Sequence, residues 1–147
     1  MAKGESVMSK VNKIFINLPV KDLNRSIDFF TKLGFTFNPQ FTDKKAACLI
    51  ISDTMYSMLI TEEFFKSFTK KSLIDAQNST EAIISLHVES RKEVDALTDK
   101  AFAAGGSKSN DNFDYGWMYG RSFQDPDNHL WKVFWMDESA APKNLDG

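Results

Sequence analysis

Two histidines and one lysine in strand-like stretches are the side chains of this sequence best suited to do chemistry. His87 lies in the apolar stretch 81–88, and His129 and Lys132 lie in the stretch 129–135. A histidine can exchange a proton near neutral pH, and a lysine can hold an anionic group. His87 is read either as a group pointing into a cavity or as one hydrogen-bonded at a sheet surface. His129 is expected to have a structural role beside the turn. Lys132 either meets a ligand's anion, forms an internal salt bridge, or extends its ammonium group to solvent at the rim of the sheet.

Aromatic residues and an arginine are concentrated in the most distinctive stretch, which runs from Tyr115 to Arg121. Alternation along a strand places Trp117, Tyr119, Arg121 and Phe123 on one face. Large rings beside an arginine suit an aromatic or acidic ligand, through stacking and forked hydrogen bonds. Ordinary sheet packing with a surface arginine produces the same pattern, so both interpretations stay open.

Other common catalytic patterns do not appear in the sequence. Ser85 and Ser122 have no recognisable histidine–acid arrangement beside them, and no glycine-rich phosphate loop is present. Cys48 is the single cysteine and lies in an apolar run, which predicts a buried, inert thiol that forms no internal disulfide.

Composition narrows the class of protein further. The chain has 147 residues, 42% hydrophobic content and a net charge of −2, which predicts a globular fold that has no affinity for nucleic acid. No apolar run approaches the roughly 20 residues of a membrane helix, and the N-terminus lacks an apolar signal core. We therefore expect a cytoplasmic protein without membrane contact.

The elements that must position these residues form a pattern of one strand, one helix and three strands in the first half. The first strand spans 11–18 and is predicted to end at Pro19. Asp22 can cap the following helix, and Gly34 can close it in a left-handed conformation. Three strand candidates follow, at 35–41, 46–51 and 56–61.

The second half repeats this pattern after a linker at 62–80 that holds one short predicted helix. A strand at 81–88 leads into a helix with a capping box from Ser90 to Glu93, and Gly105 closes that helix. The remaining predicted segments are a polar strand or loop at 107–114, a strand at 117–123, a turn at 125–128 and a strand at 129–135. Asp22 and Ser90 are 68 residues apart, and Gly34 and Gly105 are 71 apart, so the halves read as an internal repeat. Segregated helices and abundant strands predict an α+β fold whose helices cover one sheet face.

Three segments give this pattern a family likeness. Leu18–Phe35, the helix end Ala104-Gly105-Gly106, and the turn and strand Asp125–Trp135 resemble the vicinal oxygen chelate superfamily of glyoxalase I, bleomycin-resistance proteins and extradiol dioxygenases. The resemblance implies two βαβββ modules that form a curved mixed sheet around a cavity, with the helices on the outer face and a second chain often closing the cavity. The implied domain spans 10–137, with modules at about 10–61 and 81–137, between a polar tail or added segment at 1–9 and a tail at 138–147.

Metalloenzymes of this superfamily place one metal ligand on the first and last strand of each module. By the resemblance, these positions correspond to Phe15, Leu59, Ile83 and Lys132. Three hydrocarbon side chains and an ammonium group offer a divalent ion no lone pair. The resemblance is therefore not extended to metal binding, to a cofactor or to glyoxalase activity.

The sequence thus predicts a metal-independent, homodimeric protein that binds a small apolar or aromatic molecule. The alternatives are a glyoxalase-like lyase or dioxygenase with a relocated metal site, a metal-free isomerase that uses Lys132 or His87, and a dimer without any ligand. The predicted cavity residues are Phe15, Asn17, Leu59, Ile83, His87, Trp117, Tyr119, Arg121, Lys132 and Phe134.

Overall fold

A computed structural model describes residues 9–143 and contains two β-sheets with helices against one face of each. The strands are β1 (Ile14–Val20), β2 (Thr36–Asn38), β3 (Ala46–Ser52), β4 (Met55–Thr61), β5 (Ile83–His87), β6 (Ser107–Lys108), β7 (Phe113–Asp114), β8 (Met118–Gln124) and β9 (Leu130–Met136). The α-helices are α1 (Leu23–Lys32), α2 (Glu62–Phe65) and α3 (Arg91–Ala103). Short 3-10 turns lie at Pro39–Phe41, Lys66–Phe68 and Glu138–Ala140.

Each half of the chain builds one mixed sheet, so the predicted α+β repeat is confirmed. In sheet 1 the strand order is β1-β4-β3-β2, with β1 parallel to β4 and the other neighbours antiparallel. In sheet 2 the order is β5-β9-β8-β6, with β5 parallel to β9 and β7 paired to β8. The two sheets are separate and do not close into a barrel.

The helix boundaries follow the predicted capping residues. The side chain of Asp22 accepts the Arg25 amide, and the side chain of Ser90 accepts the Glu93 amide. Gly34 and Gly105 follow the helices with φ of 103° and 105°, the left-handed region that glycine adopts at little cost.

Most strand boundaries shift by one to three residues from prediction, and two of these shifts have a clear physical cause. The first strand continues through Pro19 to Val20, because β1 is an edge strand and the missing proline N–H removes no hydrogen bond from the sheet. The predicted strand 35–41 stops at Asn38, whose side chain accepts the Gln40 amide and starts a 3-10 turn instead.

The helix-covered faces of both sheets belong to one hydrophobic core. Aromatic rings join the modules: Phe30 of α1 lies 5.3 Å from the Trp131 ring of β9, and Phe29 lies 6.0 Å from Phe123 of β8. The fully buried Cys48 is part of sheet 1, and burial raises the pKa of its thiol. Because both covered faces contribute to one core, the opposite face of each sheet is directed away from the other sheet.

The turn between β8 and β9 also fastens the two modules together. The Asp127 carboxylate accepts the Lys21 amide at 2.9 Å and the Ser26 hydroxyl at 3.2 Å, both at the start of α1. The buried Asp125 carboxylate accepts the indole N–H of Trp131 at 3.0 Å. His129 reaches the Pro19 carbonyl with its ring Nε2 at 2.7 Å, which agrees with its predicted structural role.

Parts of the predicted tails and linker have defined structure. The linker 62–80 begins with α2 and a 3-10 turn, and Glu138–Ala140 of the predicted C-terminal tail forms another. Residues 1–8 and 144–147 of the predicted tails lie outside the described residues.

Candidate functional site on the open sheet faces

We call the face of each sheet opposite the helices its open face. The open face of sheet 1 carries Phe15, Asn17, Pro19, Tyr56, Met58 and Ile60. The open face of sheet 2 carries Ile83, Ser85, His87, Met118, Gly120, Ser122, Gln124, Leu130, Lys132 and Phe134. These assignments follow from the pairing register, since directly paired residues lie on the same side of a sheet.

Six of the predicted cavity residues lie on these faces. Phe15 and Asn17 are on sheet 1, where the Phe15 ring stacks on Tyr56 with centroids 4.7 Å apart. The other four are on sheet 2. They are Ile83, His87, Lys132 and Phe134.

The prediction for Leu59 is wrong by one position. Leu59 pairs with Leu18, is fully buried and belongs to the core. Its neighbours Met58 and Ile60 occupy the open face, because side chains alternate along a strand.

The prediction for Tyr119 and Arg121 is also wrong, because both face helix α3. The Tyr119 hydroxyl donates to Asp95 at 2.6 Å, and Arg121 binds Asp95 at 2.9 Å and Asp99 at 3.0 Å. The hydrogen bond from Tyr119, with that from Arg121, lowers the pKa of Asp95. Tyr119 and Arg121 therefore follow the alternative interpretation of this stretch, in which these side chains take part in ordinary sheet packing.

Trp117 precedes β8 and packs beside Tyr115. Their ring centroids are 6.3 Å apart, and the Trp117 carbonyl accepts the Asp137 amide at 2.7 Å. These contacts attach the ring to the end of sheet 2 and do not bring it to Lys132.

Lys132 is the central polar group of the sheet 2 open face. Its Nζ lies 5.3 Å from the centroid of the Phe113 ring and 5.4 Å from that of Phe134. Lys132 takes part in none of the ion pairs found within residues 9–143. The ammonium group is therefore held by two aromatic faces and not by a carboxylate.

Further residues of the sheet 2 open face surround Lys132. Gly120 lies opposite Phe134 across the strands, and the Phe113 ring occupies the space where a side chain of residue 120 would begin. Ser85 and Ser122 pair directly with Lys132 from either side. His87 contacts the Phe134 ring at 5.3 Å between centroids.

The open face of sheet 1 contains an apolar pocket of about 300 Å³. It is lined by Asn17, Ile60, Phe65, Phe68 and Thr69. The segment after β4 thus folds back and covers one end of this face. Among these lining residues only Asn17 and Thr69 have polar side chains, so the pocket suits the apolar part of an organic molecule.

Comparison with known proteins agrees with this architecture. A family model of the Glyoxalase/Bleomycin resistance protein/Dioxygenase superfamily matches residues 12–133. The chain belongs to this superfamily. No match was found among curated proteins.

Solved structures share the fold. A hypothetical protein from S. aureus, SA1046, is 29% identical with a TM-score of 0.72, covering 86% of this chain and 94% of that one. A glyoxalase/bleomycin resistance protein/dioxygenase from Nocardioides is 21% identical with a TM-score of 0.70, covering 95% and 92%. The fosfomycin resistance protein FosX from Listeria monocytogenes is 21% identical with a TM-score of 0.63, covering 95% and 98%.

The superfamily implies a metal centre in its metalloenzymes, and the residues present do not fit one. With Met58 in place of Leu59, the four strand positions supply a phenyl ring, a thioether, a hydrocarbon and an ammonium group. Within residues 9–143 no three His, Cys, Asp or Glu side chains come close enough to hold an ion.

None of the helices in residues 9–143 has the length and apolar character of a membrane-spanning helix.

Proposed function

We propose that this superfamily member binds a small aromatic or apolar organic molecule without a metal ion, as a homodimer. The observation that carries the proposal is the environment of Lys132, where an ammonium group without a carboxylate partner lies between two phenyl rings on an open face. Such a face offers apolar area and one orienting charge, which is the usual composition of a small-molecule site.

A second copy of the chain is the proposed cover for these faces. Large apolar side chains on both open faces are markedly exposed, with Phe15 at 45% on sheet 1 and Ile83 at 50% on sheet 2. Large apolar side chains left exposed on a sheet face are suited to an interaction surface. The cavity is thus proposed to form between two copies, each of which supplies part of the wall.

A metal-free isomerase is the second candidate function. His87 lies on the same open face as Lys132 and is next to Phe134, so a proton-exchanging group borders the proposed site. A lyase or dioxygenase with a relocated metal would need a ligand set beyond those that residues 9–143 bring together.

The cytoplasm is the proposed compartment. Its support is the single cysteine, Cys48, which is fully buried and forms no disulfide.

Binding of a neutral aromatic probe tests the proposal. N-phenyl-1-naphthylamine should fluoresce on addition of the protein and raise its melting temperature, since a ligand selective for the folded state stabilises it by mass action. Both signals should be unchanged by a chelator. Absence of binding, or its loss with chelator and return with a divalent metal, contradicts the proposal.

A further inference from the structure

We propose that the open face of sheet 2 selects an organic molecule with one negative charge, a monoanionic oxyacid on an aromatic or apolar body. This inference rests on the proposed function and names the class of its ligand. The anion is held by the Lys132 ammonium group together with the hydroxyls of Ser85 and Ser122.

The sheet register builds this group of three side chains. Ser85 of β5 and Ser122 of β8 are the direct cross-strand partners of Lys132 in β9. All three therefore project from the same face in one row across the sheet. Within residues 9–143 the side-chain hydrogen bonds of serine involve other positions, so neither hydroxyl is committed to a protein partner. Ser85 is exposed and Ser122 is 5% exposed, so Ser85 is the more accessible of the two.

The charge count favours a single negative charge. Lys132 is the one lysine or arginine among the strand residues of this open face. The nearby arginines are turned to the other side and are neutralised there, Arg121 by Asp95 and Asp99 and Arg91 by Asp114. One ammonium group balances one carboxylate, whereas a phosphate dianion would keep an unbalanced charge on this sheet face.

The apolar side chains around Lys132 determine which body the anionic ligand should have. Phe113 and Phe134 line Lys132 on two sides, and Leu130 and Ile83 continue the same face. Ring faces next to an ammonium group accept an aromatic acid well, because the acid head meets the charge while its ring packs on the phenyl groups. A small inorganic anion would leave these rings exposed to water.

Two probes with the same aromatic scaffold separate charge from apolar contact. 8-Anilino-1-naphthalenesulfonate carries one sulfonate charge, and N-phenyl-1-naphthylamine is its uncharged counterpart. Full-length protein should bind both. Lys132→Met should weaken the anionic probe by about ten- to a hundredfold, the range for losing a charge-assisted hydrogen bond, and leave the neutral probe within about twofold.

Matched variants control for folding and for net charge. Lys100→Met removes the same charge from an exposed position on α3 and should leave both affinities unchanged. Ser85→Ala and Ser122→Ala should each weaken only the anionic probe, by about two- to tenfold. Retained binding of the neutral probe shows that each variant is folded, and Lys132→Gln repeats the test with a polar side chain.

Competition against the anionic probe tests the charge number. Benzoate should displace it, while benzamide and phenyl phosphate should be at least about tenfold weaker, the loss expected for a missing or surplus charge. Stronger displacement by phenyl phosphate than by benzoate overturns the monoanion inference. A Lys132→Met variant that weakens both probes equally, or neither, overturns the anion site while the binding proposal stands. If the unmodified protein binds neither probe, the proposed function fails first.

Discussion

At the scale of single residues, the charge of Lys132 is stabilised by aromatic rings and not by a carboxylate. A ring face beneath an ammonium group contributes about 0.5–1 kcal/mol when exposed and about 2 kcal/mol when desolvated. The ring centroids of Phe113 and Phe134 lie 5.3 and 5.4 Å from Nζ, within the roughly 6 Å at which this attraction acts. Their placement keeps the charge on the open face, whereas an internal salt bridge would cancel it.

Gly120 is the residue that permits this arrangement, and Gly120→Ala tests it. A Cβ at position 120 overlaps the Phe113 ring, so the ring must leave its place over Lys132. We expect the substitution to lower the free energy of unfolding by about 1–3 kcal/mol, the usual cost of overpacking. Urea denaturation measures this loss, and the anionic naphthalene probe should bind more weakly as well.

A double-mutant cycle with Phe113→Ala identifies the cause. When the ring is absent, Gly120→Ala meets no obstacle and should cost clearly less than in the unmodified protein. Strictly additive losses in the free energy of unfolding would show that the Phe113 contact is not responsible.

At the scale of elements, Arg91 joins the start of helix α3 to sheet 2. Arg91, at the first position of α3, makes two hydrogen bonds to Asp114 of β7, at 2.9 and 2.8 Å. Its guanidinium group also lies 5.0 Å from the Tyr119 ring and 5.3 Å from the Trp135 ring. One side chain therefore ties the helix start to three strands.

The Arg91–Asp114 pair predicts a specific loss of stability in acid. The hydrogen bond from Arg91, with the Gly116 amide, lowers the pKa of Asp114 from 3.8 to about 2. A lowered folded-state pKa gives stabilisation that is complete above the unfolded value and disappears as pH falls to the folded one. The urea midpoints of the unmodified protein and Asp114→Asn should therefore differ above pH 4 and converge by about pH 2.

The control for this prediction is Asp111→Asn. The Asp111 side chain is 97% exposed and lies 3.5 Å from Lys108, so the substitution removes the same charge at a weak surface pair. Its midpoint should follow that of the unmodified protein at every pH. A similar acid profile for both variants would assign the effect to net charge and not to Arg91.

The elements also show which parts of the structure local sequence can determine. Capping at Asp22 and Ser90 depends on backbone amides within three residues, so the sequence predicted both helix starts correctly. Alternation in β8 correctly grouped Tyr119 with Arg121, but it cannot tell which side the helix covers. The two acids Asp95 and Asp99 on one face of α3, four positions apart, were the available signal for that side.

The pairing register between strands that are distant in sequence determines which of the remaining residues lie on the open faces. A shift of one position exchanges the two faces of a strand, and that is the error at Leu59. The same dependence hid Ser85 and Ser122, because only strand pairing places them beside Lys132. Prediction from one sequence therefore recovered the repeat and the fold class but only part of the open faces.

At the scale of the whole molecule, the shared core determines how a cavity can form. Both helix-covered faces are used inside one chain, and the apolar pocket of sheet 1 and the Lys132 row of sheet 2 lie on faces directed away from each other. A ligand that contacts both kinds of surface must therefore be enclosed by two chains. Ligand binding and dimer formation are then linked equilibria.

Phe15→Glu tests the proposed dimer on the sheet 1 open face. Phe15 is 45% exposed and stacks on Tyr56, and a carboxylate there would replace apolar contact area with a charge that must lose its water when a second copy covers the face. We expect the dimer dissociation constant to rise about thirtyfold or more, as for an interface residue that dominates binding. Analytical ultracentrifugation over a concentration series measures it, and the anionic probe should weaken in parallel.

Phe41→Glu supplies the matched comparison. Phe41 is 56% exposed in the 3-10 turn after β2 and belongs to none of the strands that form the open faces, so the same chemical change there should leave the dimer and probe binding intact. Dissociation by Phe41→Glu but not by Phe15→Glu would move the interface to another surface. A protein that sediments as a monomer at tens of micromolar would refute the dimer, and tight probe binding to that monomer would place the complete ligand site within one chain.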